Sequence, residues 1–555
     1  MSLCPGEQTA RTRWRPGAAK GRIDPPSSVD SGPDRARGTV EAIKGAVVFL
    51  GFLLLFLLKA PGLGFFISSQ DHGYQLSIGT QVLLGKVPGI DLIIAYGPMV
   101  MYTSALGLWL TGSLIGETIL CSTGYALSLF LLYHLVSRYA SKRVGLVAAG
   151  FGFVLQARFY KWYVWLIPMA ILWVWHRYLS CPPAGRRRWV VAGGSILGIC
   201  WLYRPDFGTT ELAACLVFLG LIEAGERPRD PARALRTMGL LLAGFSVFPL
   251  AWFGYLAARV GPLAPLTYLV TTVQATLAIC TGMSQPPPPF RSVIVGYGLI
   301  PASYLFAFVA VWRRALAGRL DARSWFLLAS ALVGMGSLHQ AMHRMDPGHL
   351  LQVVPPAIVC ASLLASGLLG GAEGFRLPAR AKPWIRLAGV GYATLLVAIG
   401  LKLSHWGQVD LEAFSAWPLE RYNSLADPLG HSGRDPRATA LSTVTKLTKH
   451  GDPILVFPLD CQFYALTQRR ISGRLHAYYA GVFDSPQYRA RNLEAIQAEM
   501  PQLVVVPSEF ESGPEKTVDV YVRASRRAHQ YLERFIRQNY TRVVLNDGGI
   551  MVLSR

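Results

Sequence analysis

The stretch MGLLLAGFSVFPLAWFGYLA, residues 238–257, contains twenty consecutive residues without a charge. A helix of about 20 apolar residues is long enough to cross the hydrocarbon core of a bilayer. Arginines flank the stretch on both sides, with Arg233 and Arg236 before it and Arg259 after it. These residues therefore predict a membrane-spanning helix with charged ends.

Similar apolar runs recur along most of the 555-residue chain. The other candidate spans are 45–67, 98–116, 118–136, 144–157, 162–179, 189–203, 207–222, 292–312, 324–341, 350–369 and 385–403. Hydrophobic residues make up 52% of the chain and charged residues only 15%, whereas a soluble protein is about 25% charged. The composition excludes an ordinary soluble enzyme and a disordered protein. It predicts a polytopic α-helical membrane protein with 11–13 transmembrane helices over residues 45–403.

The chain has a net charge of +22, and many of its basic residues lie in the loops between these runs. Four loops, 177–188, 223–237, 313–323 and 373–386, hold 16 Lys and Arg, whereas 204–206, 258–291 and 342–349 hold four. Basic residues in short loops mark the cytoplasmic side, so the first set is predicted to be cytoplasmic. A DNA-binding groove would not alternate with long apolar runs, and no nucleic-acid partner is expected.

The N-terminal residues 1–44 are basic and poor in apolar residues. They predict a disordered cytoplasmic tail. Five candidate spans then lie between this tail and the cytoplasmic loop 177–188, although two points on the same side require an even number. One run within 98–157 is therefore expected to be split differently or to be re-entrant.

Residues 404–555 differ from the rest and predict a small extracytoplasmic α/β domain. Strands are predicted at 454–457 and 503–506, and helices at 487–499 and 518–538. The stretches 541–545 and 550–553 flank Asn546-Asp-Gly-Gly549, a hairpin signal. Tyr and Arg side chains within 463–479 suit either sugar contact or docking onto the membrane half, and both interpretations stay open.

The first outer loop carries acids close to the predicted membrane surface. It reads Ser68-Ser-Gln-Asp71-His72-Gly-Tyr74, continues through Leu83-Leu-Gly-Lys-Val-Pro-Gly-Ile-Asp91, and ends in Tyr96-Gly-Pro98. Residues 74–84 predict a short helix on the membrane surface, with Asp71 at its start. Carboxylates near hydrocarbon are costly and are functional candidates, although Asp71 could equally be a helix cap.

This order of features resembles the first extracytoplasmic loop of GT-C glycosyltransferases, in particular the bacterial relatives of protein mannosyltransferases and of the lipid A aminoarabinose transferase. The resemblance implies a sugar taken from a polyprenyl-phosphate carrier at the outer face, with the Asp71 carboxylate at the reaction centre as the catalytic base and Asp91 as a second catalytic carboxylate. Many members have two adjacent acids where this chain has Asp71-His72. A divalent cation therefore stays open, no cofactor is certain, and no metal ligands are assigned.

Two further outer segments supply groups for a carrier phosphate. The predicted phosphate-binding residues are Arg204, His343, Arg344 and His349, and the supporting residues are Asp206, Asp346 and His72. Cations stabilise a departing phosphate without protonating it. The alternatives are a local Arg204–Asp206 pair in a tight turn and a polar interfacial turn at 339–349. A zinc site there lacks a complete ligand motif.

A cluster of aromatic and basic residues at 158–165 has two interpretations. Arg158, Lys161, Trp162, Tyr163 and Trp165 form either an interfacial belt or part of the carrier groove. The belt is the simpler of the two.

These observations predict an integral membrane glycosyltransferase of a bacterial inner membrane, with a cytoplasmic N-terminus and a periplasmic C-terminal domain. Its expected partners are a lipid-linked sugar donor, membrane lipids and a glycan, lipid or protein acceptor. Two other classes compete: a transporter or flippase of lipid-linked sugars, and a non-catalytic envelope-assembly protein. A transporter is expected to carry mid-span carboxylates and repeated halves, whereas most non-cytoplasmic acids here lie at one face.

Overall fold

The computed structural model describes most of both predicted halves. The described residues are 35–68, 70–94, 96–226, 230–282, 290–343, 347–369, 418–428, 436–481, 485–517, 519–547 and 549–555. The predicted span 385–403, the loop 373–386 and most of the 1–44 tail lie outside them.

The described part of the membrane half is mostly helical. In chain order these are α1 (Arg35–Leu58), α2 (Leu63–Ser68), α3 (Gln70–Leu83), α4 (Pro98–Thr111), α5 (Leu114–Tyr139), α6 (Lys142–Val154), α7 (Tyr163–Ser180), α8 (Arg186–Tyr203), α9 (Pro205–Glu226), α10 (Pro231–Arg259), α11 (Ala264–Gly282), α12 (Phe290–Leu316), α13 (Ala322–His343), α14 (Pro347–Gln352) and α15 (Val354–Leu369). Among the described residues, four helices are long and apolar enough to cross a membrane: α5, α9, α10 and residues 298–316 of α12. The chain is a multi-pass membrane protein, and the total of 11–13 spans stays a prediction.

Close helix packing depends on small residues, as at the contact between α8 and α10. A Cβ atom at Gly194 would lie 2.2 Å from the backbone oxygen of Leu241, and one at Gly198 would lie 2.3 Å from that of Phe245. Only glycine allows the two backbones to approach this closely, as is common between membrane helices. The predicted span 238–257 is thus buried along one side against α8.

The run 98–116, predicted as a span, does not cross the bundle. Its first residues meet the outer end of α8, where the Gly97 N–H donates to the Tyr203 carbonyl at 2.9 Å. Its middle also lies at the outer end of α5, where the Ser104 hydroxyl donates to Glu117 at 3.1 Å. Because both contacts place α4 beside the C-terminal end of α8 and the N-terminal end of α5, we expect the crossings before residue 181 to be α1, α5, α6 and α7. This gives the even number that the basic loops require.

The outer loop 258–291 is also more ordered than its sequence indicates, because it contains α11. The Tyr268 side chain is buried on this helix, and the Tyr488 hydroxyl of the C-terminal domain donates to Gln274 at 3.1 Å. Threonine and valine are abundant in α11 and have low helix propensity. Packing against both halves therefore determines this helix.

The C-terminal region forms a five-stranded mixed sheet with flanking helices. Its elements are α16 (Pro418–Ala426), α17 (Pro436–Leu447), β1 (Pro453–Val456), α18 (Gln462–Thr467), β2 (Arg470–Ile471), α19 (Pro486–Glu499), β3 (Leu503–Pro507), α20 (Val520–Ala528), α21 (Gln530–Asn539), β4 (Arg542–Asp547) and β5 (Ile550–Ser554). The strand order is β2-β1-β3-β5-β4, with β1 parallel to β2 and β3, and β5 antiparallel to β3 and β4. The predicted strands and hairpin are confirmed. The helix predicted over 518–538 is wrong as one unit, because it breaks at His529.

The two halves dock through α3, which lies between α4 and α18. The Gln81 amide donates to the Arg469 carbonyl at 2.9 Å and accepts from the Ile471 N–H at 2.9 Å, so it pairs with the backbone at the edge of β2. The Gln462 amide donates to the Ile67 carbonyl at 2.8 Å. Residues 462–471 of the C-terminal domain therefore contact the membrane half.

Candidate functional site

Asp71 is the second residue of α3 and lies where the membrane half meets the C-terminal domain. This places Asp71 in the first turn of the helix. Its carboxylate forms an ion pair with the Arg158 guanidinium, whose Nη1 also donates to the Tyr160 hydroxyl at 3.2 Å. About 41% of the Asp71 side chain remains exposed. The carboxylate is therefore held in position and still reachable.

Lys161 lies between α6 and α7 and is the most deeply buried cation beside this acid. Its ammonium group donates to the Tyr96 hydroxyl at 2.9 Å and lies 4.0 Å from the ring centroid. The Arg204 guanidinium also contacts this ring, at 4.9 Å. Burial and then the charge of Arg204 hold the pKa of Lys161 well below its ordinary value. Lys161 and Arg204 thus both contact Tyr96, although the three residues lie on segments that are distant in sequence.

Arg204 and Asp206 form a bidentate pair at the junction of α8 and α9. The two bonds measure 3.0 Å and 2.7 Å, and both side chains are largely buried. From α13, Gln340 donates to the same carboxylate at 2.6 Å, and His339 lies 3.4 Å from it. The predicted local pair is present, and it also links this junction to α13.

The C-terminal domain contributes one wall of the site through Tyr479. Burial raises the pKa of its phenol well above the ordinary value, and the nearby negative charge of Asp71 adds to this effect. Tyr96 and Tyr160 also lie close enough to act on it. The Tyr479 hydroxyl has no hydrogen-bond partner among the described residues. A polar group is thus available beside Asp71 to bind a ligand.

The chain is similar to solved structures in its fold. No protein-family model matches the chain, and no curated protein sequence matches it. The crystal structure of ArnT from Cupriavidus metallidurans bound to undecaprenyl phosphate aligns with a TM-score of 0.52 and 15% identity, over 93% of this chain and 98% of that one. The fold is similar to that of ArnT. This confirms the fold that the resemblance of the first outer loop predicted.

Two further structures align with lower scores. The apo form of the same ArnT aligns with a TM-score of 0.49 and 14% identity over the same shares of the two chains. The oligosaccharyltransferase of Archaeoglobus fulgidus, in complex with Zn and sulfate, aligns with a TM-score of 0.44 and 11% identity over 84% of this chain and 68% of that one. Because the alignment with ArnT bound to undecaprenyl phosphate covers nearly all of both chains, the similarity includes the C-terminal domain as well as the helices.

The remaining predicted residues of the first loop have well-defined contacts. The Asp91 carboxylate accepts the Val87 N–H at 2.7 Å and closes the turn that follows α3. His72 is fully buried, 3.0 Å from a Glu117 oxygen, and its ring stacks on Tyr160 at 5.2 Å between centroids. His72 thus packs behind Tyr160, which contacts Arg158.

The predicted 343–349 cluster is only partly described. Arg344 and Asp346 lie outside the described residues, and only the backbone of His343 is described, at the end of α13. His349 lies on α14, which contacts α12, α13 and α15. Their predicted role in phosphate binding stays a prediction. Just before this cluster on α13, Gln340 and His339 both reach Asp206.

One group of buried side chains has the donor atoms of a metal site. Among the described residues, the ligand atoms of His72, Glu117 and Cys121 lie within 4.8 Å of one another. Nitrogen, oxygen and sulfur donors suit zinc. Glu117 already accepts hydrogen bonds from Ser104 and His72, so the carboxylate is satisfied as a buried polar cluster without a metal.

Tyr96 is a site residue that the sequence analysis gave no role, and Arg158 and Lys161 follow the alternative interpretation of 158–165, in which they lie in the groove rather than in an interfacial belt. The interfacial belt predicted at 158–165 is wrong, because Lys161, Tyr163 and Trp165 are each at most 2% exposed. The sequence itself indicates that Arg158 and Lys161 have a special role. Two cations in a short outer segment run against the charge rule for membrane loops and so required another explanation.

Proposed function

We propose that this chain is a membrane glycosyltransferase that moves a sugar from a polyprenyl-phosphate carrier to an acceptor at the outer face of a bacterial inner membrane. One observation carries the proposal. A reachable carboxylate, Asp71, lies with three cations, Arg158, Lys161 and Arg204, where the helices meet the C-terminal domain. The fold similarity to ArnT bound to undecaprenyl phosphate supports the choice of carrier.

The proposed reaction assigns one task to each kind of group. The acceptor hydroxyl oxygen forms a bond to the anomeric carbon of the sugar, and its proton passes to the Asp71 carboxylate. The bond between that carbon and the phosphate oxygen breaks, and the carrier phosphate leaves as an anion. Lys161 and Arg204 stabilise this anion, so its oxygen needs no proton.

The surrounding side chains support these tasks by fixing positions. Arg158 orients Asp71, and Asp206, held by Gln340, orients the Arg204 guanidinium. The phenol of Tyr479 is free to bond a sugar hydroxyl from the side of the C-terminal domain. Asp91 acts by shaping the loop after α3, since its carboxylate binds the Val87 backbone.

The test replaces Asp71 by asparagine, which keeps the shape and removes the proton acceptor. General-base catalysis contributes about 10²–10⁴-fold, so the rate of sugar transfer by purified Asp71→Asn protein should fall by at least that factor. Donor binding should persist, because the cations remain. Asp91→Asn serves as the matched control and should retain most of the activity.

Two outcomes count against the proposal. If Asp71→Asn transfers sugar at the wild-type rate, Asp71 is not the base. If it loses carrier movement across the membrane as well as product, the transporter interpretation gains support. Mass spectrometry of envelope glycans from a deletion strain would identify the product.

A further inference from the structure

A cavity of about 490 Å³ opens at the end of the bundle opposite Asp71. It lies where α7 ends, α8 begins, α9 ends and α10 begins. The far end of α8 leads to Arg204, and an 18-residue helix is about 27 Å long. The cavity and the proposed site therefore lie at opposite faces of the membrane half. Its volume is in the range of small-molecule pockets.

The lining of this cavity is rich in arginine. Arg186, Arg187, Arg233 and Arg236 line it, together with the acids Glu223 and Asp230. This gives a local excess of two positive charges, which is more than enough to neutralise the single negative charge of a phosphodiester headgroup. Such an excess attracts anions and is little screened in a partly enclosed space.

One arginine of the cavity is already paired with an acid of the protein. Arg233 pairs with the buried Glu223 at 2.9 Å, and the hydroxyls of Tyr178 and Thr237 lie 3.4 Å from the same acid. Glu223 is thus neutralised by the protein itself, and its charge does not repel an anion.

Arg187 and Arg236 are exposed at the mouth of the cavity, on α8 and α10. Neither forms an ion pair with a carboxylate in the part of the chain that the structure describes. Arginine binds phosphate oxygens with two parallel hydrogen bonds. Both groups line the same cavity from neighbouring helices.

Apolar side chains continue from this mouth along the same two helices. Val191 on α8 and Leu235 and Leu242 on α10 are all exposed on the outside of the bundle. Acyl chains can cover such residues while a headgroup occupies the polar cavity. A ligand that is charged at one end and apolar at the other fits both surfaces.

The geometry points to a second lipid site, in which the phosphate headgroup of an anionic phospholipid binds between α8 and α10 at the face opposite Asp71. Basic pockets between membrane helices on the cytoplasmic side bind anionic headgroups in this way. This inference is independent of the proposed sugar transfer, because none of its residues belongs to the Asp71 site. A bound headgroup would bridge two helices and stabilise the bundle against heat.

The test compares a pocket variant with a control of equal charge. Arg187→Gln/Arg236→Gln removes the two exposed pocket cations, and Arg138→Gln/Arg143→Gln removes two exposed cations at the same end of the bundle but outside the cavity. Full-length protein in neutral detergent is titrated with dioctanoyl phosphatidylglycerol while thermal unfolding and native mass spectra are recorded. Parallel titrations use dioctanoyl phosphatidylcholine and inorganic phosphate.

We expect phosphatidylglycerol to raise the unfolding temperature of the wild type and of the control. Each lost arginine contact should weaken binding about tenfold, so the pocket variant should bind about 100-fold more weakly. Equal binding by the pocket and control variants would overturn the inference. An equal effect of phosphatidylcholine, or of inorganic phosphate alone, would also overturn it, because the site would then select no anionic lipid.

Discussion

A buried lysine among arginines is the most unusual single residue of the proposed site. Lys161 loses most of its water contacts on folding and has Arg158 and Arg204 as charged neighbours. Both effects disfavour its ammonium form, which an added phosphate would stabilise. The protein therefore keeps a cation in a position that an anionic ligand would make favourable.

The pH dependence of donor binding tests this role of Lys161. Its pKa lies well below the ordinary lysine value because of burial and Arg204. The ammonium form, which is complete at low pH, is therefore lost as the pH rises through this lowered pKa, and donor affinity should fall with it. In the wild type the KM for the donor should rise with pH in a range where an ordinary lysine stays charged.

The matched variants for this experiment are Lys161→Arg and Lys161→Met. The arginine variant keeps its charge at all these pH values and should show a KM that changes little over the range. The methionine variant should have a KM raised about tenfold or more at neutral pH, the cost of one charge-assisted contact. A pH-dependent KM in both variants would assign the titration to another group.

At the scale of elements, α3 decides how the two halves meet. It is buried along most of its length although it contains Gln75, Ser77, Thr80 and Gln81. Gln81 bonds the backbone of the C-terminal domain, and Ser77 and Thr80 bond the backbone of α3 itself. Three of these four side chains therefore have partners, whereas the Gln75 amide nitrogen has none among the described residues. The packing of α3 therefore fixes the position of Asp71.

Gly73→Ala tests the fit of α3 against α18. A Cβ atom there would lie 2.7 Å from the Cβ atom of Gln462 and 3.0 Å from its backbone nitrogen. Overpacking of this kind costs about 1–3 kcal/mol, so the variant should unfold at a lower temperature and its C-terminal domain should be cut faster by protease.

The control for this change is Gly150→Ala on α6. A Cβ atom at Gly150 has nothing within 4 Å, and alanine favours a helix over glycine by about 1 kcal/mol. Its unfolding temperature should therefore stay the same or rise. Should Gly73→Ala behave like this control, the contact between α3 and α18 is looser than described.

At the scale of the whole molecule, the arrangement of charge along the chain predicts which side each half faces. The arginine-rich cavity and the Asp71 site lie at opposite ends of α8, as the division of basic loops requires. The C-terminal sheet lies on the Asp71 side. The short 204–206 junction, poor in basic residues, is therefore predicted to be extracytoplasmic with that domain.

Reporter fusions test this orientation. Alkaline phosphatase joined after Arg555 should be active, because it folds only outside the cytoplasm, and the same enzyme inserted in the turn at 183–185 should be inactive. A fluorescent protein that folds only in the cytoplasm should give the reverse pattern. Activity of phosphatase at 183–185 would place the whole Asp71 site on the cytoplasmic side.

The class of fold follows from local properties of the sequence. Uncharged runs such as 238–257, alternating basic loops and a polar C-terminal region each depend on residues close together in the chain, so they can be recognised without a structure. The helix at Asp71 and the strands at 454–457 and 503–506 were predictable for the same reason. The resemblance of the first loop also pointed to the GT-C-type fold.

The grouping of charges was decided by the tertiary structure alone. Tyr96, Lys161 and Arg204 meet although they lie on three separate segments, and His72 finds Glu117 across 45 residues. The paths of α4 and α11 likewise depend on what they pack against, which overrides apolarity in one case and weak helix propensity in the other. Local pattern specifies which segments are helices and strands. The contacts between distant segments depend on packing and on the pairing of buried polar groups, which no single stretch of sequence contains.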